Sequence, residues 1–203
     1  MGVEQFAKDS PILASSHSPT FLSPANLPTH SLCETLNIRT PSYTPTLVSH
    51  LHFLPCLGSN LNVLHTPGHT PDELALWDEQ DRMLYVGDTL YEREPIIFPK
   101  EGSIVIWLKT IDYLISFVRQ SQTSSSYPDI RISCGHATAL APALELLEAT
   151  KGFMMDVICG NEIVLDRWEE RGEKTVMYQQ DGGRLTLVCP ERLVLEVRDV
   201  MRL

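Results

Sequence analysis

Between Ser103 and Gln120 apolar residues recur at helical spacing, with Ile104, Trp107, Leu108, Ile111, Leu114, Ile115 and Val118 on one face and Lys109, Asp112 and Ser116 on the other. That stripe predicts an amphipathic helix N-capped by Ser103. A second helix is predicted from Pro142 to about Ile158, opened by a proline and wet along Glu145, Glu148 and Lys151. Shorter apolar runs at Leu61–His65, Glu73–Trp77, Met83–Val86 and Asp129–Ser133 read as strands, and the Ser/Thr-rich stretch Ser121–Tyr127 reads as a loop. Beyond Gly160 the period falls to two. Glu162–Trp168, Lys174–Gln179, Arg184–Cys189 and Arg192–Val197 alternate between turn-type residues, which predicts an antiparallel meander.

The first 65 residues follow another rule. Their only charges are Glu4, Lys8, Asp9, Glu34 and Arg39, and prolines at 11, 19, 24, 28, 41, 45 and 55 exclude long helices. Short elements are expected here: a strand at Ile12–Ala14, a helix around His30–Leu36 and a strand at His50–Leu54. Disorder over residues 15–48 is the competing expectation. The chain is thus divided into residues 1–160, the main domain, and 161–203, a β-rich extension.

Composition narrows the class. The 203 residues are 43% hydrophobic and 21% charged, as expected of a globular chain with one core. Sixteen Lys+Arg against 26 Asp+Glu give a net charge of -10, the wrong sign for gripping phosphate backbones, so nucleic acid is not expected as a partner. No stretch has the length of a membrane-spanning helix and no signal peptide is seen at Met1, so a cytoplasmic, non-membrane protein is expected. Cys33, Cys56, Cys134, Cys159 and Cys189 form no C-x-x-C pair and read as reduced, buried, structural thiols.

The chemistry gathers where predicted strands end. His69 lies in Thr66-Pro67-Gly68-His69-Thr70-Pro71-Asp72, Asp88 in Val86-Gly87-Asp88 and His136 in Cys134-Gly135-His136. Each follows a glycine at a strand exit, which lets the next side chain be aimed over a sheet edge. Imidazole and carboxylate are ligands of zinc and non-haem iron. Taken with the intervening helix at Ser103–Gln120, these motifs resemble the third, fourth and fifth ligand motifs of the metallo-β-lactamase fold superfamily, over roughly Gly2 to Ile158. The resemblance implies an α/β fold, a partial αββα sandwich with the C-terminal antiparallel meander appended. It implies up to two Zn ions, with His69 on the first metal, Asp88 bridging and His136 on the second. It further implies hydrolysis of a small-molecule acyl substrate, an ester, thioester or lactone, by metal-bound hydroxide.

The family's His-x-His-x-Asp-His string does not occur in this sequence. His50-Leu51-His52 continues differently and is expected to be a sheet-surface pair, and His17 and His30 are read as lone loop histidines. Gly2-Val3-Glu4-Gln5-Phe6 followed by Ile12-Leu13-Ala14 looks like the continuation of that motif, so the chain is expected to be truncated just after it. Three remaining ligands leave a metal pair short, since catalytic zinc usually keeps three protein ligands of its own. Two functions therefore stand side by side: a metal-dependent hydrolase, or a catalytically inactive remnant or interaction module of the same fold. A binding surface on the meander would rest on Trp168, Tyr178, Leu185, Leu187, Leu193 and Leu195, which read more readily as core. Self-association through an exposed sheet edge is a further expectation. The pocket wall is expected at Tyr91, Glu92 and Arg93, just after Asp88.

Overall fold

The computed structural model describes residues 3–6, 9–56, 59–122 and 129–203. Met1, Gly2 and positions 123–127 of the expected Ser/Thr-rich loop lie outside them. The elements in chain order are α1 (Val3–Phe6), β1 (Leu13–Ser15), α2 (Leu27–His30), β2 (Thr46–Val48), β3 (His52–Cys56), β4 (Ser59–His65), β5 (Leu74–Asp78), β6 (Met83–Tyr85) and β7 (Pro95–Ile97). They continue with α3 (Ile104–Ser121), β8 (Arg131–Ser133), β9 (Ala141–Pro142), α4 (Ala143–Cys159), β10 (Val164–Glu170), β11 (Glu173–Gln179), β12 (Thr186–Pro190) and α5 (Glu191–Met201).

One sheet has six strands in the order β3-β4-β5-β6-β8-β9, a second has four in the order β10-β11-β12-β7, and β1 and β2 form a parallel pair. The first sheet is antiparallel except where β8 joins β6 in parallel, Leu84 opposite Ile132, after the crossover through α3. This is the mixed α/β architecture of a partial αββα sandwich with a further sheet at the C-terminal end. A single apolar cluster joins α3, α4 and α5 to both larger sheets, running from Leu64, Ala75 and Leu84 through Trp107, Ile111 and Leu146 to Leu187 and Val197.

The long helices follow the predicted stripes. All seven apolar residues assigned to the inner face of α3 are buried, and the Ser103 hydroxyl accepts the Ile106 N–H at 3.3 Å, the first-turn bond expected of an N-cap. On α4 the polar side is spent on neighbours: Glu148 meets Arg119 and Lys151 meets Asp112, each at 2.6 Å. Such exposed pairs contribute at most about 1 kcal/mol each, so the apolar face holds the helix.

Two expected elements are corrected. The helix placed around His30–Leu36 is instead Leu27–His30, because Pro28 suits a first helical turn and the chain extends at Ser31; residues 32–38 form turns. The fourth meander strand, Arg192–Val197, is helical and belongs to α5. Pro190 sits at its N-cap with Glu191 in the first turn and Arg198 in the last, the charge order that suits the helix dipole. Leu193, Val194 and Val197 are buried while Leu195 is 54% exposed, a 3.6-residue pattern that a period of two does not describe. The remaining three segments form the antiparallel strands β10–β11–β12, and β12 also pairs in parallel with β7, a short strand that the residue pattern does not announce. Cys33 and Cys189 are buried as expected, whereas Cys134 is half-buried and Cys159 exposed.

The two patterns make opposite forecasts for α5. A strand would place Leu193, Leu195 and Val197 on one face, but here Leu195→Lys should change unfolding free energy by no more than about 0.5 kcal/mol. Leu193→Ala should cost about 2–5 kcal/mol in urea denaturation, the range for emptying a core leucine site.

Candidate functional site

The loop after β4 is shaped by α3. Gly68 has φ +145°, a conformation that L side chains rarely adopt, and a Cβ there would collide with the backbone of Trp107. Its carbonyl accepts the Ser103 N–H at 2.8 Å, and the Thr110 hydroxyl donates to the Pro67 carbonyl at 2.5 Å. The loop after β6 is tied to the same helix, because the buried Trp107 indole donates to the Thr89 carbonyl at 2.7 Å. Two strand exits distant in sequence are thereby fixed side by side. The third exit, after β8, joins them through Gly135 N–H to the Gly87 carbonyl at 2.6 Å.

These loops bring His69, Asp88 and His136 to the wall of one cavity of about 470 Å³. His136 Nε2 is 3.8 Å from Asp88 Oδ1, and the Tyr91 hydroxyl donates to that same oxygen. Tyr91 and His136 lie against one another, ring centroids 5.4 Å apart. His69 Nε2 donates to the Ile97 carbonyl at 2.9 Å, which leaves Nδ1 3.7 Å from Glu73 Oε1. That carboxyl oxygen also accepts the Asp88 N–H at 3.1 Å, so Glu73 bridges the first two exits from beneath. Gly135 packs so closely on Asp88 that a Cβ would stand 2.5 Å from Oδ1.

Burial sets the electrostatics. Desolvation lowers the His69 pKa against the opposing pull of Asp88, keeping the ring neutral. Glu73, with its side chain 8% exposed, is pushed well above the usual carboxylate range by burial and then by the neighbouring Asp88 charge. Tyr91 is raised by burial and by its bond to Asp88, and the Cys134 thiol is pushed up to about 12 by burial, so neither offers an anion near neutrality.

Of the three expected wall residues, Tyr91 lines the cavity, while Glu92 is turned to Arg184 at 2.8 Å. His50 and His52 do not form a strand pair, since β3 starts only at His52; His50 Nδ1 accepts the His65 N–H at 3.0 Å and its ring lies edge-on to Tyr113. His30 also reaches the cavity wall, stacked on Phe21 at 4.3 Å. Glu73 escapes sequence reasoning because it follows Asp72 and reads as a second polar residue where the loop ends; the signal available is its place directly before the apolar run Leu74–Trp77. Among the described residues, no group of three or more His, Cys, Asp or Glu side chains is placed so that it could hold a metal ion. Catalytic zinc needs three protein donors at about 2.0–2.2 Å from one point, which the side chains as placed do not supply.

The arrangement of strand exits and helix defines a class of fold. At that level the chain has the fold of the metallo-beta-lactamase proteins: residues 34–127 match the sequence model described as Metallo-beta-lactamase superfamily, and solved proteins of that description superpose on it. A metallo-beta-lactamase family protein from Thermus thermophilus superposes with a TM-score of 0.57 at 16% identity, over 78% of this chain and 57% of that one. An archaeal superfamily protein from Sulfolobus tokodaii gives 0.57 at 14% identity, over 76% and 62%. In sequence, the chain is 29% identical over 146 residues to an Aspergillus versicolor protein named putative transcription factor avaE, covering 68% of this chain and 42% of that protein. The chain thus spans about two fifths of the length of this curated relative and about three fifths of the two solved structures.

Two outcomes follow from the packing. Gly135→Ala should displace Asp88 and lower stability by more than about 1 kcal/mol, read from the denaturation midpoint. Because folding raises the Glu73 pKa, its protonated form favours the folded state and its ionisation opposes folding. Wild type and Glu73→Gln should therefore differ little near pH 4, with the variant gaining at least about 1 kcal/mol relative to wild type as pH rises to 8. Paired denaturation curves across that range check it.

Proposed function

We infer that this chain acts by binding rather than by hydrolysis, as a catalytically inactive or interaction form of the metallo-β-lactamase fold. One observation carries the reading: among the described residues, no three His, Cys, Asp or Glu side chains are placed so that they could hold a metal ion. His69 gives its Nε2 proton to Ile97, and Asp88 Oδ1 takes the Tyr91 hydroxyl. These bonds hold the two side chains in place, and with His136 they do not bring three donors to one point as a catalytic zinc needs. What remains is a cavity of about 470 Å³, within the range that holds small organic molecules, with an apolar wall and a polar floor. No helix among the described residues is long and apolar enough to cross a membrane. The name of the Aspergillus versicolor relative raises a nucleic-acid role, which a net charge of -10 on this chain opposes.

A second reading has its own support. His69, Asp88 and His136 face one cavity, as the hydrolase reading requires, with zinc as cofactor and an ester, thioester or lactone as substrate. In that case these three residues would hold the metal, which would supply an activated water.

The two readings separate on one preparation. Zinc is titrated into the protein against a chelator of known strength, and turnover is followed on a thioester, a lactone and a β-lactam. The binding reading expects the chelator to strip zinc completely and turnover to stay at background. Stoichiometric zinc retention, with turnover lost in His69→Ala, would instead establish the hydrolase.

A further inference from the structure

Resting on the metal-independent reading of this cavity, the charges around it indicate which ligand it takes. The wall is apolar along Phe21, Leu32, Ile97, Phe98, Val188 and Pro190. Two of its acids are paired with cations. Glu101 lies 3.8 Å from Lys100, and Glu173 is 3.3 Å from Arg192, which stands behind the wall. Glu170 accepts from the Trp168 indole at 3.1 Å and Arg171 donates to the Thr35 hydroxyl at 2.7 Å, one acid and one cation each held by a neutral group. The floor is not balanced in this way. Asp88 meets only a phenol and imidazole, Tyr91 at its Oδ1 and His136 at 3.8 Å, and its side chain is 47% exposed. No Lys or Arg is paired with it among the described ion pairs.

A divalent ion at such a floor would draw anionic ligands; a carboxylate with no Lys or Arg beside it draws the opposite charge. We propose that the cavity binds a small molecule with an aromatic or alkyl body and one cationic, hydrogen-bond-donating end, the ammonium resting on Asp88. The body would displace water from the apolar wall. The binding involves no covalent step. The acids lining the cavity, Asp88, Glu101, Glu170 and Glu173, outnumber Lys100 and Arg171, so the cavity as a whole disfavours a carboxylate.

Tryptamine and indole-3-propionate share a body and differ in the sign of the charged end, so calorimetric titration with each tests the assignment. Chelator-treated wild type should bind tryptamine at least about tenfold more tightly than indole-3-propionate, a gap equivalent to one protonated pair favoured over one repelled. Asp88→Asn should shrink that gap to within about threefold, and raised salt should shrink it in wild type. Equal or reversed affinities in wild type, no binding of either probe, or a gap unchanged in a folded Asp88→Asn protein would each overturn the proposal. The wild-type pair and its salt dependence decide the matter if Asp88→Asn does not fold. Running the same titrations after zinc addition distinguishes the two levels of inference. Chelator-resistant zinc would remove the metal-independent reading, whereas a metal-free protein without cation preference would remove only this assignment.

Discussion

The site depends on the first two turns of α3. Within eight residues of that helix, the Ser103 N–H, the Trp107 indole and the Thr110 hydroxyl bind carbonyls of Gly68, Thr89 and Pro67. These three acceptors belong to two loops that leave different strands. Each is a backbone group that would otherwise need water, so the helix satisfies the loops as it packs against them. Trp107 serves both purposes, since its fully buried ring fills the core while its one donor is directed at the second loop. That clamp acts together with Glu73 and with the Gly135–Gly87 bond to set the positions of His69 and Asp88.

The clamp explains why the site is legible in the sequence before the surrounding fold is. The stripe from Ile104 to Val118 identifies α3, and the glycine-then-ligand steps mark the strand exits that it holds. What the pattern cannot convey is hydrogen-bond direction. Nothing in Thr66–Asp72 says that His69 will donate to Ile97, because β7 becomes a strand only through pairing with β12, some 90 residues later. The same non-local pairing hides the change from strand to helix at Pro190. Leu193, Leu195 and Val197 fit period two as a string of residues, but burial in three dimensions selects Val194 and rejects Leu195. The proline-rich segment before His50 resolves into short elements as its composition predicts, and its small helix lies earlier than expected because proline is favoured in a first turn.

Glu73 shows how one residue alters the chemistry of a shared scaffold. Its carboxyl oxygen accepts from Asp88 N–H and faces His69 Nδ1, so it stabilises the loop positions through hydrogen bonding while burial opposes its ionisation. A neutral carboxyl can fill that space and satisfy the amide at little electrostatic cost. An ionised one would place a second negative charge beside Asp88, in a region where water cannot screen it. Burial and the neighbouring Asp88 thus both oppose a charge on Glu73.

Tyr91 completes the argument from the other side. Its hydroxyl is directed at Asp88 Oδ1 because the ring is held between the loop after β6 and His136, in a position where the buried phenol needs an acceptor. Gly135 permits the close approach, since any side chain there would meet Asp88 and the Tyr91 hydroxyl together. Tyr91 from its own loop and Gly135-His136 from a distant one therefore fix the carboxylate while leaving it accessible to the cavity.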